Sequence, residues 1–126
     1  MPFYNLACLF EPQFVSTAAT ALTFAPGVGG SVVPPNYAYQ ISTLRVSNVT
    51  AAPVTLQVWR VPSGSTPIAV NLVVPSINIP VAAATQMDID LTALWGAVLQ
   101  PGDSIYAEAG AASSLVIQGD GAVIQS

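Results

Sequence analysis

Between Val54 and Val61 the chain sets Val54, Leu56 and Val58 on one side and Thr55, Gln57 and Trp59 on the other. A repeat of two residues, rich in β-branched side chains, fits a half-buried strand and does not fit a helix. The pattern recurs along the chain. Thr85 to Leu91 alternates strictly, with Met87, Ile89 and Leu91 inward and Gln86, Asp88 and Asp90 outward. In Tyr37 to Val49, Tyr39 and Ile41 fall on one face and Leu44 and Val46 on the other, which predicts a β-bulge or strong twist near Ser42. Thr20 to Phe24, Ser104 to Ala109, Leu115 to Gln118 and Ala122 to Ile124 are shorter β-prone runs.

Turn chemistry separates these runs. Ala25 to Pro35 carries Pro-Gly and Gly-Gly steps, Asn48 to Pro53 reads as a turn, and Pro62 to Pro67 is a loop. Gln100 to Asp103 fits a type II turn, with Pro101 presetting φ and Gly102 supplying φ > 0. The flanking strands of the Asn48 turn are expected to form a hairpin, which would place Arg45 and Arg60 on one sheet. Gly119-Asp120-Gly121 is expected to turn between the last two runs. Ile68 to Val81 is strand-prone but holds Pro75 and Pro80, which confines it to a sheet edge or a crossover. Thr92 to Leu99 is the one helical candidate, a turn or two with Leu94, Val98 and Trp95 on a shared side. Roughly seven or eight short strands with hardly any helix predict an all-β, antiparallel β-sandwich, jelly-roll-like or, alternatively, Ig-like.

At 126 residues the chain suits one domain. Residues 1–19 are apolar but irregular, and read as an extended N-terminal arm on a single sandwich domain of residues 20–126. Phe3, Tyr4, Leu6, Leu9, Phe10 and Phe14 of the arm are candidate interface residues. Cys8, a lone cysteine, is expected to be a buried small hydrophobe.

Charge narrows the function. Only 6% of residues are charged, against about a quarter in ordinary soluble proteins. Ser, Thr, Asn and Gln number 32 and can wet part of the surface, yet 52% of the chain is apolar. That excess predicts self-association, as a dimer or trimer, or docking onto a larger assembly. Two arginines and a net charge of -4 exclude a phosphate-binding face, so no nucleic acid is expected. No run approaches the ~20 apolar residues of a membrane span, and Met1 to Leu9 lacks a basic region before its apolar residues, so a soluble, unprocessed chain is expected.

Without histidine or lysine the chain lacks the usual general bases, metal nitrogens and Schiff-base amines. No enzyme, cofactor or metal is expected. Asp88 and Asp90 share a strand face and read as solvated carboxylates, while Asp103 and Asp120, each beside glycine, read as caps of local backbone amides. Asn48-Val49-Thr50 matches the glycosylation sequon and is discounted. Arg45 and Arg60 are candidates for an ion pair or a docking contact. Trp59 on its strand face, with Tyr37, Tyr39 and Tyr106, could offer a stacking platform for a glycan, a less favoured reading.

The order of STLRVSNVTAAPVTLQVWRVPSG, NLVVPSINIPVAAATQMDIDL, LWGAVLQPGDSIYAEAG and LVIQGDGAVI resembles small β-sandwich virion proteins of tailed bacteriophages. The resemblance implies a non-enzymatic virion part made in the host cytoplasm. Its expected place is the capsid surface, as a decoration or cement protein bound to the major capsid protein or other virion proteins. A head fibre, or a tail or fibre component, is the alternative. It carries over no catalytic residue, and residues 1–37 lie outside it.

Overall fold

A computed structural model describes residues 3–25, 30–68, 72–79, 87–88 and 98–125. Among the described residues nine strands form two antiparallel sheets: β1 Phe3–Phe14, β2 Thr20–Ala21, β3 Tyr37–Asn48, β4 Val54–Val61, β5 Leu72–Ile79, β6 Met87–Asp88, β7 Val98–Leu99, β8 Ser104–Ala109 and β9 Leu115–Gln125. One sheet runs β1-β9-β3-β6, with β7 also on β3, and the other runs β2-β8-β4-β5.

The pairings nest. β4 pairs β5, β3 pairs β6 and β7, β2 pairs β8, and β1 pairs β9. That is one long hairpin, rolled until β9 also meets β3 and β4 also meets β8. Such a double-sheet winding is a jelly roll, so the Ig-like alternative falls. Of the helical turn expected over Thr92 to Leu99, residues 92–97 lie outside the described residues; Val98–Leu99 is strand. Of Thr85 to Leu91, Met87–Asp88 is strand and the rest lies outside them.

The hairpin expected at the Asn48 turn is an arch instead, and so is the connection between β8 and β9. β3 and β4 lie in different sheets, as do β8 and β9. Each buries one face, and in the arch those faces meet across the core, which a hairpin within one sheet cannot achieve. Asn48, itself buried, directs the first arch. Its Oδ1 accepts the Thr50 backbone N–H at 2.9 Å and the Thr50 hydroxyl at 2.7 Å, and its Nδ2 donates to the Ala52 carbonyl at 2.8 Å. The sequon asparagine is therefore a structural residue.

Residues 3–14 are no arm. They form the outer strand of a sheet, and Leu9 and Phe10 are both 0% exposed. Two consecutive residues cannot both face inward on a regular strand. They do so here because β1 carries an extra residue between Cys8, opposite Asp120, and Phe10, opposite Gly119. On the other side of β9, β3 carries its own extra residue between Ile41, opposite Gly121, and Thr43, opposite Asp120. That is the bulge expected at Ser42, and it brings Tyr39, Ile41, Leu44 and Val46 into one core. Apolar residues out of phase in sequence are thus in phase in space.

Gly119-Asp120-Gly121 sits between these two bulges, mid-strand in β9, and is not a turn. The glycines serve packing. A Cβ on Gly121 would strike the Gln40 backbone carbonyl and come within 2.8 Å of Leu9 Cδ1. One on Gly119 would sit 2.9 Å from the Thr43 carbonyl and 3.0 Å from the Phe10 ring. Phe10 stacks on Phe24 at 4.9 Å between ring centroids, and Phe24 meets Tyr39 edge-on at 4.9 Å. β5, carrying Pro75, lies at a sheet edge as expected, where a missing N–H is tolerated.

Candidate functional site

Three loops converge at one end of the sandwich, around Asp103. Gln100 to Asp103 closes with the Asp103 N–H on the Gln100 carbonyl at 3.0 Å, and Gly102 has φ 90°, the type II geometry expected. Pro62 to Ser65 closes likewise, Ser65 N–H to Pro62 carbonyl at 3.0 Å, with Gly64 at φ 80°. The Asp103 carboxylate joins the two turns. Oδ2 accepts the Gln100 N–H at 3.0 Å and Oδ1 accepts the Ser63 N–H at 2.9 Å. The segment before β3 is tied in by Val33 N–H to the Asp103 carbonyl at 3.0 Å and Gly102 N–H to the Val33 carbonyl at 2.8 Å. Asp103 caps the local Gln100 amide, as its place beside glycine suggested, and also the Ser63 amide, 40 residues away.

Arg60 locks this end across the sheets. It lies opposite Ile105 on β8, so it shares the core-facing side of β4. Its Nη2 donates to the Val98 carbonyl of β7 in the other sheet at 3.2 Å and stands 3.9 Å from Asp103 Oδ2. The ion pair is long and the Arg60 side chain is 34% exposed, so its contribution lies at the low end of the ~0–1 kcal/mol usual for exposed pairs. The hydrogen bond across the sheets is the more informative contact.

Beside this end lies a shallow hollow of about 290 Å³ lined by Asn36, Tyr37, Ala38, Gln100, Pro101 and Ile124. Its lining is uncharged. The Tyr37 ring leans on the core and on Tyr39 at 6.4 Å. A smaller hollow of about 180 Å³ lies between Glu11-Pro12-Gln13 and Thr23-Phe24-Ala25.

The structure scatters the remaining candidates. Phe3, Tyr4 and Leu6 are placed by backbone register opposite Gln125, Ile124 and Ala122. Leu9 and Phe10 belong to the chain's own core and offer no interface, whereas Phe14 is 58% exposed. Arg45 is exposed on β3, opposite Gln118 and, on its other side, Asp88, in a different sheet from Arg60. Trp59 does face away from the core cluster, as its alternation with Val58 requires, but it is only 7% exposed. Buried on the outer side of β4, it cannot stack on a sugar, and Tyr39, fully buried, cannot either.

Cys8 corrects another expectation: it is exposed. Leu9 and Phe10 take the two inward positions at the bulge, leaving Cys8 on the outer face opposite Asp120. Its thiol donates to the Phe10 carbonyl at 3.4 Å. Partial desolvation, then the carboxylates of Asp120 and Glu11, push its pKa above the ordinary 9.0 and keep it a neutral thiol. Among the described residues no group of three or more His, Cys, Asp or Glu side chains could hold a metal ion.

No known protein family matches the sequence, and no curated protein matches it. Three solved structures are similar in backbone. A chain from the disulfide-linked pili that form Bacillus endospore appendages is 13% identical, with 99% of this chain and 88% of that one aligned at a TM-score of 0.45. A chain of infectious bursal disease virus, Gx strain, is 15% identical, with 99% and 33% covered at 0.46. The Gt strain counterpart is 12% identical, with 98% and 31% covered at 0.34. This chain spans about a third of those viral chains. Likeness at this level adds nothing to the strand pairing, which by itself makes the fold a jelly roll.

Proposed function

We propose that this chain is a non-catalytic structural subunit of a multi-copy particle, working as a decoration or cement protein on the capsid exterior of a tailed bacteriophage. One observation carries the reading: a surface almost without charge. The accessible area is 6599 Å², so eight charged residues leave about 800 Å² for each, as much as one partner's share of a standard interface. Asp103 is withdrawn from that set by burial, and Arg60 is half-buried beside it. Meanwhile Phe14, Val32, Val49 and Ile68 are each about half exposed. Such a surface suits contact with protein better than permanent contact with water. The sequence resemblance supplies the kind of particle.

Immunogold labelling of particles from a culture producing the chain tests this. Regular label on the capsid exterior is the expected result; label confined to the soluble fraction would overturn it. Deleting residues 1–15 is unsuitable as a docking test, because it removes Leu9 and Phe10 from the core. Phe14→Ser and Val49→Ser change exposed residues only and should lower occupancy with the fold intact.

A second reading, glycan binding, keeps one supporting observation once Trp59 is lost. The hollow beside Tyr37 is neutral and carries amide side chains, the chemistry that neutral sugars use. A glycan array with wild type and Tyr37→Ala decides it, no bound sugar removing the idea.

A further inference from the structure

The two halves of β1 treat their outer edge in opposite ways. Edge strands invite pairing with other chains, and proteins blunt them with bulges, charge, proline or cover. From Leu9 onward β1 uses all four: the bulge, Glu11, Pro12, and the segment Thr23–Ala25 alongside. The Leu9 carbonyl accepts the Ala25 N–H at 2.8 Å. The Gln13 side-chain amide stands in for a strand, accepting the Thr23 N–H at 3.0 Å and donating to the Thr23 carbonyl at 3.1 Å.

Among the described residues Phe3 to Cys8 shows none of these devices. It pairs β9 without a register break, from Phe3 opposite Gln125 to Cys8 opposite Asp120. It holds no proline and no charge, and among the described residues no hydrogen bond is made across its outer side. We propose that this segment is a self-association edge, where a second copy of the chain adds its own Phe3 to Cys8 antiparallel. This rests on the reading of the chain as an assembly subunit and names the surface used.

Length, charge and symmetry select the occupant. Among the described strands, β2 has two residues, and β5 carries Pro75 and register breaks against β4. The same segment of another copy matches Phe3 to Cys8 in length and in its unbroken register. Each copy has net charge -4, and the first charged residue is Glu11, so approach through Phe3 to Cys8 sets no carboxylate opposite another. The cover beginning at Leu9 stops a partner strand there. The pairing is thereby centred between Asn5 and Leu6, with Phe3 opposite the partner subunit's Cys8. This arrangement is its own mirror under a two-fold axis, so it closes as a dimer and does not grow into a filament.

Light scattering on a size-exclusion column, for wild type, Asn5→Pro and Leu6→Pro, tests the edge. Successive strand residues point their N–H groups to opposite sides. One substitution therefore removes a bond to β9 and lowers stability, and the other removes an outward N–H and yields a folded monomer. As a readout independent of variant folding, wild type spin-labelled at its lone cysteine should show Cys8 backbones about 17 Å apart across the dimer, five residues at strand rise. A dimer that resists both substitutions, or labels beyond about 30 Å from this register, overturns the edge and leaves the assembly reading standing. A wild-type monomer at millimolar concentration also overturns the edge; capsid labelling then decides the broader reading separately.

Discussion

The middle of β9 and the loop end around Asp103 are both places where the chain tolerates little change, for opposite reasons. At Gly119 to Gly121 order comes from missing volume: two bulges on neighbouring strands push Leu9, Phe10 and Leu44 toward space that only glycine leaves. At Asp103 order comes from one buried carboxylate that satisfies two backbone N–H groups from separate turns. The first region should be sensitive to size and indifferent to polarity nearby. The second should be sensitive to hydrogen-bonding capacity and indifferent to exposed size.

The largest effect is expected at Gly121. Gly121→Ala places a methyl against the Gln40 carbonyl and should destabilise by about 3 kcal/mol, lowering Tm by roughly 10 °C. Asp120→Asn, its exposed neighbour, should stay within about 0.5 kcal/mol in the same thermal melts. A tolerated Gly121→Ala would mean that β1 and β3 do not close on β9 as described.

Next comes Asp103→Ala, which strands the Ser63 and Gln100 N–H groups and should lose about 2–3 kcal/mol by urea titration. Gln100→Ala keeps the backbone N–H and changes only an exposed side chain, so about 0.5 kcal/mol or less is expected. Equal losses in the two variants would show that the carboxylate is not the organiser. Asn48→Ala, which removes a similar local cap from the β3–β4 arch, should cost about 1–2 kcal/mol.

The smallest effect is in reactivity. Cys8 has a folded pKa raised above its unfolded value, so its contribution to stability is present below pH 9.0 and fades as pH rises through the folded pKa. Iodoacetamide at pH 8 should accordingly modify Cys8 more slowly in the folded chain than in urea. Asp120→Asn should speed the folded reaction, and an unchanged rate would remove Asp120 as a cause.

Much of this was legible residue by residue. Turn chemistry identified the Gln100 to Asp103 turn and the cap that its aspartate places on the Gln100 N–H, because both depend on residues within reach of one another in sequence; the cap on Ser63, 40 residues away, left no such trace. The bulge near Ser42 was visible as a phase change in an otherwise alternating strand. Its counterpart at Leu9 produced adjacent apolar residues, and these read as an irregular arm because a bulge without alternation on both sides leaves no phase to compare.

Sequence alone determined that the chain is β-structured, where most strands and turns fall, that proline confines β5 to an edge or a crossover, and that little charge is present to cover the surface. The tertiary structure decided which strands meet. A five-residue connection can return within a sheet or arch to the other, and both bury one face, so only packing between sheets chose the arch. That choice turned Gly-Asp-Gly from a turn into mid-strand, drew Trp59 out of solvent, exposed Cys8, and set Phe3 to Cys8 along β9 in unbroken register. Each depends on neighbours distant in sequence, and local propensity carries no record of them.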